Sequence, residues 1–356
     1  MRVYFNTPSA TLQGGPPTHL PLLENELRNL VEIVPFQYGR KSDTESFAAK
    51  FIGRLADLLR LHRQLKQCRP DLIHHNSAFD AVAFLRDAPL ALLAKHHNVP
   101  LFIKFHGSFR KSFGPMNLVH ATCRQIILKD SAAMGVLSVA EREEFISQWP
   151  WVERKLSVVK NVINDELFSV KRRESRSGSI LFVSRFFRKK GMFDLLDAIP
   201  QVLTIFPDTV FIFIGGGEAS NQFNHDVDQK GLRKSVQWFD HMENEKIHSF
   251  YVSAWALVFA SHLPEGMPMV VAEAMAAGVP VITTPTRFAR SYLNEPDNCL
   301  FTEVGSSSSI AEKIVYLMRQ PKLRSAMSGR NQVLASKFRQ AQVAEEFHSL
   351  YQQLVG

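Results

Sequence analysis

Apolar positions along the chain follow two alternating spacings. Residues 3–6, 31–36, 71–74 and 101–105 form short apolar runs of strand length. Between them, residues 20–30 and 51–65 repeat apolar side chains every three or four positions, as a helix that buries one face does. The second of these helices carries Phe51, Leu55, Leu58, Leu59 and Leu65 and ends before Pro70. Gly14, Gly15, Pro16 and Pro17 read as a polar loop after the first strand, a helix fits between 74 and 101, and 158–160 closes the set. The stretch 169–179 is charged, Ser-rich and almost free of large apolar residues, and reads as a linker. A second set follows, with strands at 180–183, 210–215, 256–260 and 279–283 and helices near 194–206, 243–253 and 270–277. Strands alternating with helices at this length predict parallel sheets covered on both faces. The expected fold class is therefore α/β, with two Rossmann-like domains at 1–168 and 180–339. Residues 340–354 form a closing helix whose stripe of Val343, Ala344, Phe347, Leu350, Tyr351 and Leu354 must be buried.

Composition narrows the class. A chain of 356 residues with 45% hydrophobic and 21% charged residues suits two globular domains. No run of about 18 apolar residues predicts a membrane-spanning helix, and the first residues turn polar too soon for a signal peptide. Cys68, Cys123 and Cys299 lie far apart without metal-like spacing and read as reduced thiols of a cytoplasmic protein. The net charge of +8 is spread along the chain, five in residues 1–170 and three in 171–356. Nucleic acid, an anionic bilayer and a phosphate-bearing ligand are all compatible with it. No nucleic-acid module or aromatic–basic interleaving is present, so nucleic acid is not expected as a partner. The helix near 50–69 mixes apolar residues with Lys50, Arg54, Arg60, Arg63, Lys66 and Arg69, against Asp57 as its one acid. Such a face suits an anionic membrane surface, and equally the solvated side of an ordinary helix.

The chemistry concentrates in residues 264–281. There a loop with Gly266, Met267 and Pro268 opens a helix whose free N–H groups favour anionic oxygens. Glu265 precedes this helix and Glu273 lies within it, so two carboxylates on one wall could accept hydrogen bonds from two groups of hydroxyls. This segment resembles the GT-B retaining glycosyltransferases of glycosyltransferase family 4, whose paired glutamates precede Ala-Met-Ala-x-Gly-x-Pro. Here Glu265, Glu273, Ala274, Met275, Ala276, Gly278 and Pro280 match. The resemblance continues at Phe182 to Gly191 with Arg185 and Lys190, at Ile212 to Glu218 with Gly215 and Gly217, at Val159 to Phe168, and at Lys104 to Gly107 with His106.

The resemblance implies two domains facing a central cleft, the last helix crossing back to the N-terminal domain, and a nucleotide-sugar donor linked to UDP or GDP. It implies that Arg185 and Lys190 bind the diphosphate and stabilise the departing charge, and that Glu265 contacts sugar hydroxyls and Glu273 the ribose. By the same resemblance His106 lies near the sugar, and Gly14 and Gly15 approach the phosphate. His106, Arg185, Lys190 and Glu265 are the candidate catalytic residues. Gly14, Gly15, Gly215, Gly217, Gly266, Met267, Pro268 and Glu273 join Arg185, Lys190 and Glu265 as candidate donor-binding residues. No cofactor and no essential metal are expected. The acceptor implied is a glycan or lipid-linked hydroxyl, met in the cytoplasm or peripherally at the inner face of the membrane, in cell-surface polysaccharide or glycolipid synthesis. The chain departs from the family pattern at Thr286-Arg287-Phe288-Ala289-Arg290, where relatives carry Gly-Gly and a Glu, at Val162 and at Cys299. A silent nucleotide-sugar-binding homologue and a same-fold epimerase or phosphorylase stay open as alternatives.

Overall fold

The computed structural model describes residues 1–7, 14–39, 42, 46–169 and 178–356. The linker expected at 169–179 falls mostly on 170–177, outside the described residues. The chain divides into two compact units, one of residues 1–163 with 338–356 and the other of residues 164–337.

In the first unit β1 (Arg2–Asn6), α1 (Gly15–Leu27), β2 (Glu32–Phe36), α2 (Phe47–Gln67), β3 (Leu72–Phe79), α3 (Ala81–His96), β4 (Leu101–Ser108), α4 (Leu118–Asp130), β5 (Ala133–Val136), α5 (Val139–Gln148) and β6 (Leu156–Val158) follow one another. The sheet order is β2-β1-β3-β4-β5-β6, with every pair parallel. Two corrections to the sequence reading bear on function. Helix α1 starts at Gly15 rather than at 20, because Pro16 and Pro17 occupy a first turn whose N–H groups have no intrahelical partner anyway. Strands β3 and β4 extend beyond their apolar runs, paired from Ile73↔Leu101 to Phe79↔Ser108. His75 and His106 therefore stand inside strands, as His74 does, rather than just after them. The last strand occupies 156–158 rather than 158–160, in register with Met134, Gly135 and Val136 of β5.

The second unit runs β7 (Ser179–Val183), α6 (Met192–Ile205), β8 (Val210–Ile214), α7 (Ser220–Gln229), β9 (Val236–Phe239), α8 (Asn244–Ser253), β10 (Ala254–Phe259), α9 (Met269–Ala276), β11 (Val281–Thr283), α10 (Arg287–Tyr292), β12 (Cys299–Phe301), α11 (Ser307–Met318) and α12 (Pro321–Ala335). Its parallel sheet has the order β12-β11-β10-β7-β8-β9. The chain builds outward from β7 to β9, then returns to the other side of β7 with β10. The loops after β7 and β10 thus leave adjacent strands at the point where strand order reverses, the place where open α/β sheets bind ligands.

The final helix, α13 (Gln340–Val355), belongs to the first unit. Val343, Ala344, Phe347 and Tyr351 are buried in one cluster with Val3, Phe5, Leu20, Leu23, Leu27 and Phe102. The predicted apolar stripe is thus the seam by which α13 lies against α1 and the sheet. Leu350 and Leu354 pack at its margin.

Candidate active site

Lys190 and Glu265 meet in the second unit. Lys190 ends a single 3-10 turn after β7, and Gly191, with φ 83°, is the N-cap of α6. That conformation disfavours a side chain, and a Cβ on Gly191 would stand 2.1 Å from the Ala260 carbonyl oxygen. The β7–α6 turn is thereby pressed against the end of β10. Across this approach Lys190 Nζ donates to Glu265 Oε1 at 2.5 Å, and Ser261 Oγ donates to the same oxygen at 3.0 Å. The His262 amide donates to the Lys189 carbonyl at 2.9 Å, and the His262 ring meets Asp194 Oδ2 of α6 at 2.5 Å. Arg185 does not join this cluster. It is exposed, and its guanidinium lies 5.2 Å from the centre of the Phe187 ring.

The glycine turn after β8 locks against the same β7 loop. Gly215 and Gly217 have φ of 138° and 156°, and a Cβ at either would strike the Ser184 or Phe186 carbonyl at 1.8 or 2.7 Å. The Phe186 amide donates to the Gly216 carbonyl and the Gly215 carbonyl accepts from Trp238 Nε1, each at 2.9 Å. Gly266, Met267 and Pro268 are buried and lead into α9, whose first residue follows Pro268 without a side-chain cap.

Glu273 lies in α9, 7% exposed, where Oε2 accepts from the Tyr251 hydroxyl at 3.2 Å. Burial pushes its carboxyl up to about 7, against the lowering effect of that hydrogen bond. Glu273 is not bonded to Lys190, so the two glutamates are held by different partners. The departure at 286–290 also has a structural role. Thr286 caps α10, the Phe288 amide donates to the Glu265 carbonyl at 3.0 Å, and buried Arg287 donates through Nη1 to the Pro264 carbonyl at 3.3 Å. The residues standing in place of Gly-Gly therefore hold the backbone of the glutamate loop.

In the first unit Gly14 is the N-cap of α1, at φ 129°, and Gly15 its first residue. His106 is half-buried near the end of β4, and its Nε2 lies 2.8 Å from Asn76 Oδ1. Asn76 Nδ2 in turn donates to the Asn6 carbonyl at 2.9 Å. That contact fixes the amide orientation, so Nε2 of His106 carries the proton and Nδ1 the lone pair. Burial, then the Lys104 ammonium, hold His106 well below the usual imidazole range, so the ring is neutral. The His19 ring, fully buried in the first turns of α1, lies 5.1 Å from it.

His19, Asn76, Tyr251 and Ser261 escaped the sequence reading, because each is identified by what it touches across distant segments. Ser261 had one usable signal, a polar residue just past the carboxyl end of a strand, and Asn76 another, a polar residue just after the run at 71–74. His74 and His75 serve the core. His74 Nδ1 meets the Tyr351 hydroxyl at 2.5 Å and His75 Nε2 meets Asp87 at 3.0 Å. Among the described residues no group of three or more His, Cys, Asp or Glu is placed to hold a metal ion, and no helix is long and apolar enough to cross a membrane.

Residues 164–332 match the family described as Glycosyl transferases group 1, and residues 19–167 match Glycosyltransferase Family 4. The chain is similar to the glycogen synthase of Mycobacterium tuberculosis H37Rv, 23% identical over 224 residues that cover 61% of this chain and 52% of that protein. It thus spans about half the length of this curated relative. Among solved structures, a glycosyltransferase from Rickettsia africae superposes with a TM-score of 0.81 at 17% identity, covering 99% of this chain and 98% of that one. HepE of Anabaena, solved in complex with UDP-glucose, does so with a TM-score of 0.76 at 17% identity, covering 99% and 100%. At these identities the structural likeness speaks for the fold, the two-sheet GT-B architecture.

Proposed function

Because the chain belongs to the group 1 and family 4 glycosyltransferases, we propose that it transfers a sugar from a nucleoside-diphosphate donor to a hydroxyl, with retention at the anomeric carbon. The observation that carries this reading is the Lys190–Glu265 pair at the strand-order reversal of the second sheet, beside the start of α9 and buried Glu273. A cation and helix N–H groups at that point suit a diphosphate, whose negative charge grows as the glycosidic bond breaks. Arg185 is exposed and bonded to no carboxylate among the described residues, and so is available as a second phosphate ligand. Glu265 would accept from sugar hydroxyls and Glu273 from the ribose, while neutral His106, Gly14 and Gly15 serve the sugar and phosphate. No carboxylate acts as a covalent nucleophile in this reading, and the leaving phosphate assists the incoming hydroxyl. The donor base is uridine or guanosine, and the complex of HepE with UDP-glucose makes uridine donors the first to try.

The test is a panel of UDP- and GDP-sugars scored by thermal stabilisation, which reaches about 2.7 kcal/mol at a hundredfold excess over Kd. Product analysis by NMR then gives the anomeric outcome. Stabilisation without transfer or donor hydrolysis identifies the silent homologue, and inversion of configuration refutes the mechanism.

The acceptor proposed is a glycan or lipid-linked hydroxyl, reached in the cytoplasm with peripheral contact to an anionic membrane. In α2 the apolar repeat divides, with Leu61 and Leu65 buried while Ile52, Leu55 and Leu59 are 66%, 53% and 51% exposed. Exposed Arg60, Arg63, Lys66 and Arg69 continue this face, and Asp57 is buried. The expected contributions of Lys50 and Phe51 lie outside the described side chains. Co-sedimentation with anionic but not neutral vesicles, lost in high salt, is the expected result. No binding to anionic vesicles at low salt refutes it.

A further inference from the structure

Glu265 and Glu273 each have one carboxylate oxygen engaged by the protein and one left over. Glu265 Oε1 accepts from Lys190 and Ser261, and Glu273 Oε2 accepts from Tyr251. Among the described residues nothing hydrogen-bonds to Glu265 Oε2 or Glu273 Oε1.

The engagement of Glu273 has a specific form. Tyr251 stands near the end of α8 and is fully buried, so its phenol has no solvent to turn to. Its hydroxyl has two acceptors in reach, Glu273 Oε2 at 3.2 Å and the Val270 carbonyl at 3.5 Å, the carboxylate being nearer. Burial and the adjacent glutamate push the phenol well above its ordinary range, so it stays protonated and donates. Glu273 is flanked in α9 by Ala272 and Ala274, which offer it no hydrogen bond. Among the described side chains, the charged and titratable residues of the elements packed on α9 are Asp165 and Glu166 of segment 165–169, Lys322, Arg324 and Arg330 of α12, and Lys246 and His248 of α8, which also brings Tyr251. None of them shifts the carboxyl, which responds to burial first and Tyr251 second.

We propose that Tyr251 is a positioning residue for nucleotide recognition, holding Glu273 by Oε2 so that Oε1 is presented, as carboxylate, to the vicinal hydroxyls of the nucleoside ribose. This rests on the donor-site reading of Glu273. A phenol that only filled space would do as well without its oxygen, whereas a positioning phenol would not. Two hydroxyl donors are best received by a carboxylate, and with burial holding Glu273 at about 7, Tyr251 keeps a larger share of it in that form.

The test is Tyr251→Phe, which keeps the ring in place, with UDP and GDP as probes in calorimetric titrations from pH 6 to 9. Without the phenol hydrogen the pH midpoint of nucleotide binding is expected to rise by about one unit. Affinity then falls about fivefold at pH 7 and converges on that of the unaltered protein by pH 9. An unchanged Kd at every pH overturns the proposal. A loss equal at every pH, with a lowered melting temperature, also overturns it and leaves Tyr251 a packing residue. Glu273→Gln separates the two readings. If this variant binds nucleotide as well as the unaltered protein, the ribose role of Glu273 fails, and the Tyr251 proposal with it. If it loses affinity while Tyr251→Phe does not, the proposal fails alone.

Discussion

Replacing Lys190 by Met removes the cation that meets Glu265 Oε1 at 2.5 Å and leaves Ser261 as the remaining side-chain donor to that oxygen. The two side chains are 14% and 20% exposed, so the orphaned carboxylate is poorly compensated by water. A hydrogen bond to a charged group contributes about 1.5–3 kcal/mol, and K190M is expected to lose about 2 kcal/mol of stability. In a unit of this size that lowers the melting midpoint by about 4–8 °C. E265Q leaves the lysine unpaired and costs a similar amount. The double variant K190M/E265Q removes both charges, and the cycle should return a coupling of about 1–2 kcal/mol. Catalysis should not follow. If Lys190 stabilises the departing diphosphate, K190M loses about 3 kcal/mol of transition-state stabilisation, a hundredfold in rate, and the double variant regains none of it. Thermal unfolding of the four proteins and initial transfer rates with the best donor decide the matter. A coupling below about 0.5 kcal/mol would deny the ion pair. Transfer by K190M within twofold of the unaltered protein would sink the phosphate role.

Four further outcomes are expected. Transfer should persist in excess EDTA, and abolition reversed by Mn²⁺ or Mg²⁺ would contradict a mechanism run on Lys190, Arg185 and helix N–H groups. Gly191→Ala, with φ 83° and a Cβ 2.1 Å from the Ala260 carbonyl, should destabilise the second unit by at least about 2 kcal/mol in urea unfolding, and an unchanged midpoint would refute the close approach. Lys104 is fully buried, and burial lowers its amine from 10.5 to about 7. The unfolded chain therefore binds more protons between pH 7 and 10, and the stability of the unaltered protein relative to Lys104→Met should rise across that window; a flat difference would show the amine to be solvated. Deletion after Ala341 removes Val343, Ala344, Phe347 and Tyr351 from their cluster and should lower melting temperature and transfer together, whereas full turnover with unchanged melting would make α13 dispensable.

Legibility in the sequence followed the length and purity of each apolar pattern. Strands such as β7 and β8, whose residues are nearly all buried, stood out as runs. Strand β5, Ala133–Val136, is four residues with a glycine among them, and α7 has only Phe223 and Val227 buried in a polar helix. Neither carries enough apolar contrast to announce itself. Glu265, Glu273, Arg185 and Lys190 could be named as candidates because their spacing within local segments carries the resemblance. The partners that fix their geometry were not readable. Tyr251 precedes Glu273 by 22 positions and Lys190 is 75 from Glu265, so these contacts exist only once the sheet order is formed. In the sequence, 286–290 is a departure from the Gly-Gly and Glu of the family pattern. It proved to be a capped turn whose Phe288 amide and Arg287 side chain grip the carbonyls of Glu265 and Pro264.

The return of residues 338–356 to the first unit also orders events during synthesis. Synthesis runs from the amino-terminal side, yet the cluster holding Val3, Phe5, Leu20 and Phe102 lacks part of its cover until Phe347 and Tyr351 emerge. The unit of residues 164–337 is contiguous and can close first, although it is translated second. Until Phe347 and Tyr351 arrive, the part of that cluster which α13 covers stays open to water.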